Sequence, residues 1–352
     1  MNENVLHVKS TRDGRSARNS DGWDRMARLV LAGDVGGTKT WLGLFALDGA
    51  RPTPLETRRY ATRDFDALTP IVARFLDETG SADRIAAACF GVAGPVRANV
   101  SRLTNVPWVV NGIEIGDRLG IAPVQLLNDL EAMARAVPLL ASHELAVIQA
   151  GTPTEGGNAA LIAPGTGLGE AGLHAVGDRL IPLASEGGNA DFAARTPREL
   201  ELVSLLAARQ GRVALEDVVS GPGLVNLHTF THRLVQCTDG TLPEELDRRP
   251  AAITASALEG GCAACVEALD LFVSALGAAA GNLALRTVAT SGLYLGGGIA
   301  PRILPALRGG RLLEAFVDKG PMRTLLEQIP VSVVLEQQTA LIGAAIGARD
   351  LT

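Results

Sequence analysis

Short apolar stretches along the chain end repeatedly in glycine-rich turns. RLVLAG runs into DVGGTKT, NAALIAP runs into GTGLGEAG, and SGLYLGG runs into GIAPRILPAL. The first two turns are followed by strand-like segments, WLGLFAL and AGLHAV, whereas a helix-like segment with Pro301 near its first turn follows the third. The pattern predicts two similar strand–turn–strand units, roughly one in each half of the chain.

Further strand and helix patterns lie between these turns. RIAAACFGVAG and APVQLLN are strand candidates, and DLEAMARAVPLL, PRELELVSLLAARQ and the Ala-rich GGCAACVEALDLFVSALGAAAGNLAL are helix candidates. Strands that alternate with helices indicate an α/β fold. The repeated unit suggests two related lobes facing a shared cleft, with a boundary near Ala141, but chance similarity between glycine turns explains the repetition equally well.

The bulk composition narrows the class of protein. The 352 residues are 47% hydrophobic and 20% charged with a formal net charge of −6, which gives no sign of a nucleic-acid surface. No uninterrupted apolar run reaches the ~18 residues of a membrane span, and four cysteines favour a reducing, cytoplasmic setting over a disulfide scaffold. Residues 1–26 are polar and lack periodicity, so we expect a disordered, dispensable N-terminal extension.

Two pairs of potential metal ligands have plainer interpretations. Cys262 and Cys265 form a CxxC inside the long predicted helix, where we expect them to share a face and pack as small hydrophobic residues. No second CxxC completes a zinc set. His228 and His232 have the spacing of a helical chelate, but Thr229 replaces the glutamate of a zinc protease, so we expect a solvated helix face.

Two familiar glycine-loop motifs do not fit. A P-loop needs a second glycine where Thr38 stands, followed by a helix rather than a strand. Gly167, Gly169 and Gly172 match the dinucleotide-binding fingerprint, with Glu186 near its acidic position, but the segment after them is a poor helix former.

A third interpretation uses both turns to clamp the phosphates of ATP from opposite sides. Glycines let backbone N–H groups approach phosphate oxygens, and Thr38 and Thr166 add hydroxyl donors. Asp34 would hold Mg²⁺ through water, because that ion gives up its hydration shell reluctantly. The alternative is a pair of tight turns with incidental polar residues.

Polar residues at other element ends suit a polyhydroxyl ligand. Asn128 and Asp129 lie where a strand passes into a helix, and there they fit either an N-cap or a cleft-facing base. Glu186 and Asn189 in SEGGNADF, and Glu216 in ALEDVVSGPG, add amide and carboxylate groups of the kind that replace water around sugar hydroxyls.

GDVGGTKT, LTNVPW, LLNDLEA, GTGLGEAG, EGGNADF, SGPGLVNL and GGGIAPRIL occur in the order found in bacterial glucokinases of the hexokinase and actin-like ATPase superfamily. The chain resembles that family from Ala27 onward. The resemblance implies a two-lobe, ribonuclease H-like fold around an interlobe cleft. By this likeness, residues 27–140 plus 337–352 form a small α/β lobe and residues 141–336 a larger α+β lobe.

The resemblance also implies ATP-dependent phosphorylation of glucose at its 6-hydroxyl by a cytoplasmic homodimer. Asp129 resembles the family's general base. The implied sugar-binding residues are Asn105, Asn128, Asp129, Glu186, Asn189 and Glu216. The implied nucleotide-binding residues are Gly33, Asp34, Val35, Gly36, Gly37 and Thr38 in the first loop, Gly165, Thr166 and Gly167 in the second, and Gly296, Gly297 and Gly298 under the adenosine.

One position departs from the family pattern, and it keeps other sugars open. Asn189 stands where the family has a histidine near the anomeric end of the sugar, and asparagine is shorter and does not titrate near neutral pH. A kinase for another hexose or an amino sugar is therefore an alternative. A sugar-sensing, non-catalytic protein on the same scaffold is another, although the chain lacks a patterned DNA-binding module ahead of the lobes.

Overall fold

The computed structural model describes residues 28–104, 106–240 and 242–352. Its framework is a five-stranded first sheet and a six-stranded second sheet, and a third sheet has three short strands. The strands are β1 (Leu29–Val35), β2 (Lys39–Ala46), β3 (Thr53–Ala61), β4 (Ile85–Val92), β5 (Val96–Arg97), β6 (Val100–Arg102), β7 (Val109–Asn111), β8 (Val124–Asn128), β9 (Leu145–Gln149), β10 (Ala159–Pro164), β11 (Leu168–Val176), β12 (Arg179–Ser185), β13 (Gly292–Leu295) and β14 (Val331–Val334).

The first sheet has the order β3-β2-β1-β4-β8. β1 runs antiparallel to β2 and parallel to β4, and β8 runs parallel to β4. β1 is buried on both faces along almost its whole length, as its continuous apolar sequence predicts for a central strand. The carboxyl ends of the three parallel strands therefore meet at one edge, where Asp34 pairs with Gly91 and Val92 pairs with Asn128.

The second sheet repeats this arrangement. Its order is β12-β11-β10-β13-β14-β9, in which β10, β11 and β12 form an antiparallel meander and β13 and β14 run parallel to β10. Apart from the edge strand β9, strand order and direction match those of the first sheet. The predicted α/β class is confirmed, and the two glycine turns are equivalent parts of two similar sheets.

Eleven α-helices are present in the described part of the chain. They are α1 (Leu68–Thr79), α2 (Gly112–Leu119), α3 (Asp129–Ala136), α4 (Pro197–Gln210), α5 (Gly221–Thr231), α6 (Arg249–Glu259), α7 (Ala263–Thr287), α8 (Leu304–Leu307), α9 (Arg311–Val317), α10 (Arg323–Gln328) and α11 (Thr339–Arg349).

The start of α4 illustrates how local sequence sets these bounds. The hydroxyl of Thr196 accepts a hydrogen bond from the N–H of Glu199 at 3.2 Å, and the Glu199 carboxylate accepts one from the N–H of Thr196 at 3.2 Å. This reciprocal capping box and Pro197 in the first turn fix the predicted helix start.

α7 is the central helix of the larger hydrophobic core. It packs against α5, α6 and α9, and buries Phe272, Leu276 and Leu283. By length and composition alone α7 passes as a membrane span, yet 61% of its most apolar window is buried against the rest of the protein. Its hydrophobic character is explained by the core that it organises.

α11 lies on the first sheet although it is far from that sheet in sequence. Leu341, Ala344 and Ala345 are buried against Val30 of β1 and Ala87 of β4. Gly343 faces the backbone carbonyl of Ala132 in α3, so closely that a Cβ at position 343 would overlap that oxygen. α3 also contacts β11 and β12, and thus touches both sheets. The division of the chain into lobes at residues 140 and 337 stays a prediction.

The structure corrects two expectations about side chains in the second half of the chain. Cys262 is the residue before α7 rather than a member of it, so the two CxxC thiols do not share a helix face, although both are buried. The solvated face predicted for His228 and His232 is wrong: their rings stack with centroids 3.8 Å apart, and Nε2 of His228 is buried. Residues 1–26 and Asn105 lie outside the described residues.

We predict that Gly343→Ala lowers the melting temperature, because the new Cβ forces α11 away from α3, and overpacking of this kind costs about 1–3 kcal/mol. Thermal unfolding followed by circular dichroism measures the effect. Gly49→Ala is the matched control, since a Cβ there would have only the Arg51 carbonyl at 3.9 Å. Equal melting temperatures for both variants would contradict the close contact.

Candidate functional site

The first glycine turn joins β1 to β2. Strand pairing closes at Val35 and Thr40, which leaves residues 36–39 in the turn, and the N–H of Gly36 donates to the Lys39 carbonyl at 3.1 Å. Gly36 and Gly37 are half-buried, and Thr38 is exposed. Turn backbone and a hydroxyl thus lie open beside the carboxyl end of β1, as a phosphate-binding turn requires.

The second turn is the equivalent one between β10 and β11. Pairing closes at Pro164 and Leu168, and the N–H of Gly165 donates to the Gly167 carbonyl at 2.9 Å across the turn. The Gly165 carbonyl in turn accepts a hydrogen bond at 2.8 Å from the N–H of Gly221, the first residue of α5. Thr166 at the tip is exposed. The strand that follows confirms that this is not a dinucleotide-binding turn.

A cavity of about 560 Å³ lies between the second turn and the carboxyl edge of the first sheet, where Asp34 lines it. A volume of this size suits a small-molecule ligand. The predicted residues that line it are Asp34, Asn128, Asp129, Gly165, Thr166, Gly167, Glu186, Glu216 and Gly297. The predicted residues that the structure describes outside this lining are Gly33, Val35, Gly36, Gly37, Thr38, Asn189, Gly296 and Gly298.

Asp129 is the first residue of α3 and lines this cavity. The Asn128 side chain is the N-cap and accepts a hydrogen bond from the N–H of Leu130 at 3.0 Å, and Oδ1 of Asp129 accepts from the same N–H at 2.8 Å. Nδ2 of Asn128 donates to the Gly94 carbonyl at 3.2 Å. Asn128 is therefore an N-cap in the cavity lining, and a hydrogen bond from its side chain also favours the charged form of Asp129.

Gly91 explains why Asp34 and Asp129 come close together. It pairs with Asp34 across the parallel strands, and a Cβ at position 91 would lie 3.6 Å from Cα of Asp129 and 3.0 Å from Cβ of Ala132. Without a side chain at this point, the first turn of α3 settles directly onto β4. The two carboxylates then face the same space.

Burial, with a further contribution from neighbouring carboxylates, raises the pKa values of Asp34 and Asp129. Burial first, and then the negative charge of Asp129, raise the pKa of Asp34 to about 6, against a smaller opposing effect of Lys39. Burial likewise raises the pKa of Asp129, and the charge of Glu186 adds to the rise, while the hydrogen bond from the Leu130 N–H opposes it. Such an excess of negative charge favours the binding of a cation, or a reaction in which one of the carboxylates accepts a proton.

Glu216 and Glu186 approach the cavity from the second sheet's side. Oε2 of Glu216 accepts a hydrogen bond from the N–H of Leu168 at 3.4 Å, and a Cβ at Gly167 would lie 2.9 Å from the same oxygen. Glu216 is thus in contact with the second turn. Glu186 follows β12 and is exposed at the cavity wall.

Asn189 lies at the end of the short 3₁₀ helix Gly187–Asn189, where it is exposed. Its backbone carbonyl accepts a hydrogen bond from Nη1 of Arg212 at 2.6 Å. The side chain has room to change without disturbing packing.

The third glycine-rich turn follows β13. Gly297 has φ +77°, and a Cβ there would overlap the Pro164 carbonyl. A Cβ at Gly296 would lie 2.8 Å from Sδ of Met133. Both glycines are required by packing against neighbouring elements, and Gly297 also lines the cavity. Packing also explains the glycine at position 33, since a Cβ there would lie 2.5 Å from the Phe90 ring.

Sequence reasoning missed several lining residues. Gly94, Pro95 and Thr104 belong to loops at the carboxyl edge of the first sheet, and Met133 and Ala340 come from α3 and the start of α11. The AGP that follows the buried strand β4 was an available signal, because it marks a turn at the same sheet edge as Asp34. Met133 and Ala340 have no signal in sequence, because only the docking of α11 on α3 places them.

Comparisons with known proteins agree with this geometry. A family model described as Glucokinase matches residues 31–351. A glucokinase from Synechocystis sp. is 39% identical over 346 residues, which cover 91% of this chain and 98% of the relative. The crystal structure of a glucokinase from an Antarctic psychrotroph has a TM-score of 0.80 and 34% identity, and covers 92% of this chain and 99% of that one.

A more distant solved structure shares the fold alone. The glucokinase of Balamuthia mandrillaris, solved in complex with glucose, has a TM-score of 0.74 at 21% identity, and covers 95% of this chain and 96% of its own.

We predict that Asp34→Asn makes the ligand-free protein more stable at pH 7.5. Ionising a buried carboxylate whose folded pKa is about 6 instead of 3.8 destabilises the folded state, so the wild-type protein loses stability as pH rises from about 4 to about 6. Removing the charge should raise the unfolding free energy by about 1–3 kcal/mol above that range and by nothing below it.

Chemical denaturation at pH 4 and pH 7.5, without nucleotide or magnesium, measures this difference. A variant that gains no stability at the higher pH relative to the lower would contradict the raised pKa of Asp34.

Proposed function

Because the chain belongs to the glucokinase family, we infer that it transfers the γ-phosphoryl group of ATP to the 6-hydroxyl of glucose. The observation that carries this proposal is the cavity that Asp129 lines together with Asp34, at the end of β1, and with the second glycine turn, Gly165 to Gly167. Transfer of a phosphoryl group requires mainly alignment of donor and acceptor and stabilisation of charge, and this arrangement provides a place for each.

Asp129 is the proposed general base. A carboxylate accepts the proton of the attacking hydroxyl most effectively when its pKa lies near the working pH, and burial raises the pKa of Asp129 in that direction. The hydrogen bond from the Leu130 N–H fixes Oδ1, which orients the carboxylate against the helix start. The proton would pass from the sugar oxygen to this group as the oxygen attacks.

The two turns are the proposed phosphate-binding elements, with backbone N–H groups of the first turn and the hydroxyls of Thr38 and Thr166 as donors. The open tip at Thr166 and the cradle at Gly297, which a Cβ would fill, leave space for the nucleotide. The remaining nucleotide-binding residues of the first turn, and Gly296 to Gly298 under the adenosine, stay proposals from the family resemblance.

The residues at the base of the cavity fit a magnesium ion. Asp34 offers carboxylate oxygens in a region of excess negative charge, which a divalent cation would relieve. When bound, Mg²⁺ would neutralise charge on the phosphates. Asp34 would hold it through water.

Asn128, Glu186 and Glu216 are the proposed sugar ligands, with Asn105 and Asn189 from the family resemblance. Asn128 lines the cavity with an amide group, and the carboxylates of the two glutamates can accept hydrogen bonds from sugar hydroxyls. An actin-like ATPase without a sugar substrate gives no purpose to such a set of acceptors facing the phosphate-binding turns. A homodimer in the cytoplasm is proposed on the family resemblance, and the four free cysteines suit a reducing compartment.

We predict that Asp129→Asn lowers kcat by about 10²–10⁴-fold while the melting temperature stays within a few degrees, because only proton transfer is removed. Coupled detection of ADP, with and without glucose, measures the rate. Glu131→Gln is the matched control: it removes a charge two residues along α3, where Glu131 pairs with Arg135 at 3.4 Å outside the cavity.

Near-normal turnover of Asp129→Asn would remove Asp129 from the role of base. If the wild-type protein released ADP at the same rate with and without sugar, the proposed sugar-kinase activity would be contradicted.

We also predict that Asn189→His lowers KM for glucose about 2–10-fold with little change in kcat, since one added hydrogen bond contributes about 0.5–1.5 kcal/mol. A panel of glucose, mannose and glucosamine, run for both proteins, measures affinity and preference. The same KM and the same preference in the two proteins would mean that position 189 does not set sugar selectivity.

A further inference from the structure

A second cluster of reactive side chains lies away from the cavity, around the C-terminal end of α5. His228 belongs to the last turn of α5 and His232 follows it, Cys237 lies in the next loop, and Cys262 and Cys265 flank the start of α7. Three chain segments thus bring two imidazoles and three thiols together. The proposed kinase function uses none of them.

Four of these side chains have the spacing of a metal site. One ligand atom from each of His228, His232, Cys237 and Cys265 lies within 4.8 Å of all the others. The Sγ atoms of Cys237 and Cys265 are 3.8 Å apart, and Sγ of Cys265 is 3.9 Å from Nε2 of His232. A tetrahedral zinc ion with Zn–S bonds of ~2.3 Å places two sulfurs ~3.8 Å apart, and a sulfur and a nitrogen ~3.6 Å apart.

The imidazole of His232 is oriented as a metal ligand usually is. Nδ1 of His232 lies 2.9 Å from the His228 backbone carbonyl, which can only accept a hydrogen bond, so Nδ1 carries the proton and Nε2 presents its lone pair to the thiols. Ligating histidines commonly make this kind of hydrogen bond to a backbone carbonyl through the other ring nitrogen.

His228 adds a second, independent observation. Its Nε2 is buried and has no hydrogen-bond partner among the described residues, although an unpaired buried polar nitrogen is costly. The ring stacks on that of His232 at 3.8 Å and 20°, which places both imidazoles on the same side of the helix end. A cation held between them and the thiols would satisfy this nitrogen.

We propose that His228, His232, Cys237 and Cys265 bind a structural zinc ion. Two thiolates and two imidazoles in a compact cluster form the Cys₂His₂ set that favours Zn²⁺ over harder cations such as Mg²⁺. Four protein ligands leave no open position, so the site is structural rather than catalytic. Cys262, whose Sγ is 3.3 Å from Nε2 of His232, lies beside the ligands as a neighbouring thiol.

The ion would fasten the loop after α5 to the core. Leu234 and Val235 in this loop are 87% and 53% exposed, so hydrophobic burial does little to hold it. α5 begins at Gly221, which is hydrogen-bonded to the second glycine turn, and ends at the cluster. Zinc would therefore fix the far end of a helix whose first residue supports the candidate phosphate-binding turn.

Elemental analysis of the full-length protein, purified without chelator, tests the site. We expect one zinc ion per chain, and a fall towards zero in Cys237→Ser and in Cys265→Ser. Cys89→Ser is the matched control, since it removes a buried thiol from β4 in the first sheet and should keep the zinc. Cys237 is half-exposed in a loop, so its serine variant should still fold.

A second measurement on the wild-type protein does not depend on any variant. After removal of zinc by a chelator, Co²⁺ should restore the lost thermal stability and give thiolate-to-cobalt charge-transfer bands with tetrahedral d–d bands in the visible spectrum. Wild-type protein that holds no zinc and shows no such bands, zinc that persists in both cysteine variants, or a Cys237–Cys265 disulfide in reduced preparations would each overturn the proposal. None of these outcomes depends on kinase activity.

Discussion

The position of α3 depends on its close packing against three glycines. Gly343 of α11 lies against the Ala132 carbonyl, and Gly91 of β4 lies against the first turn of α3. Gly169 of β11 leaves room for the Leu130 side chain, which would lie 2.8 Å from a Cβ at position 169. α3 is thereby held on three sides by three different elements. Asp129 is the first residue of α3 and directly follows the last residue of β8, so this packing and the end of β8 together set the location of the proposed base.

The same close packing creates the electrostatic character of the cavity. Bringing α3 down onto β4 places Asp129 near Asp34, and Lys39 offsets the charge of Asp34 only in part. The folded state thus carries an unfavourable charge arrangement that a magnesium nucleotide would relieve. Binding sites often contain such destabilising arrangements, and the rest of the core supplies the stability that they lack.

Local patterns in the sequence were sufficient for much of the fold. The glycine turns, the α/β class and the helices α4 and α7 follow from apolar periodicity, capping residues and turn chemistry, which are properties of neighbouring residues. Asp34 and Asp129 were found because each stands at the end of a predicted strand, whereas Glu186 and Glu216 were found as acceptors in SEGGNADF and ALEDVVSGPG, with their roles implied by the family resemblance. The capping role of Asn128 was foreseen as an alternative, and the structure shows this cap within the cavity lining.

Features that depend on distant parts of the chain were not foreseen. The cysteine and histidine cluster was missed because Cys237 has no partner in its own segment, and the CxxC was interpreted within a helix that in fact begins after Cys262. Met133 and Ala340 line the cavity only because α11 docks on α3. Such contacts join residues whose separation in sequence carries no periodic signal.

The docking of α11 has a consequence for how the chain is made. α11 covers β1 and β4, yet every strand of the second sheet lies between them in sequence. On the ribosome, the apolar face of the first sheet therefore emerges long before its covering helix, and it stays open to solvent or to chaperones while the second sheet is synthesised. The strands of the first sheet thus begin to fold first, but their packing is completed last, when α11 has been synthesised.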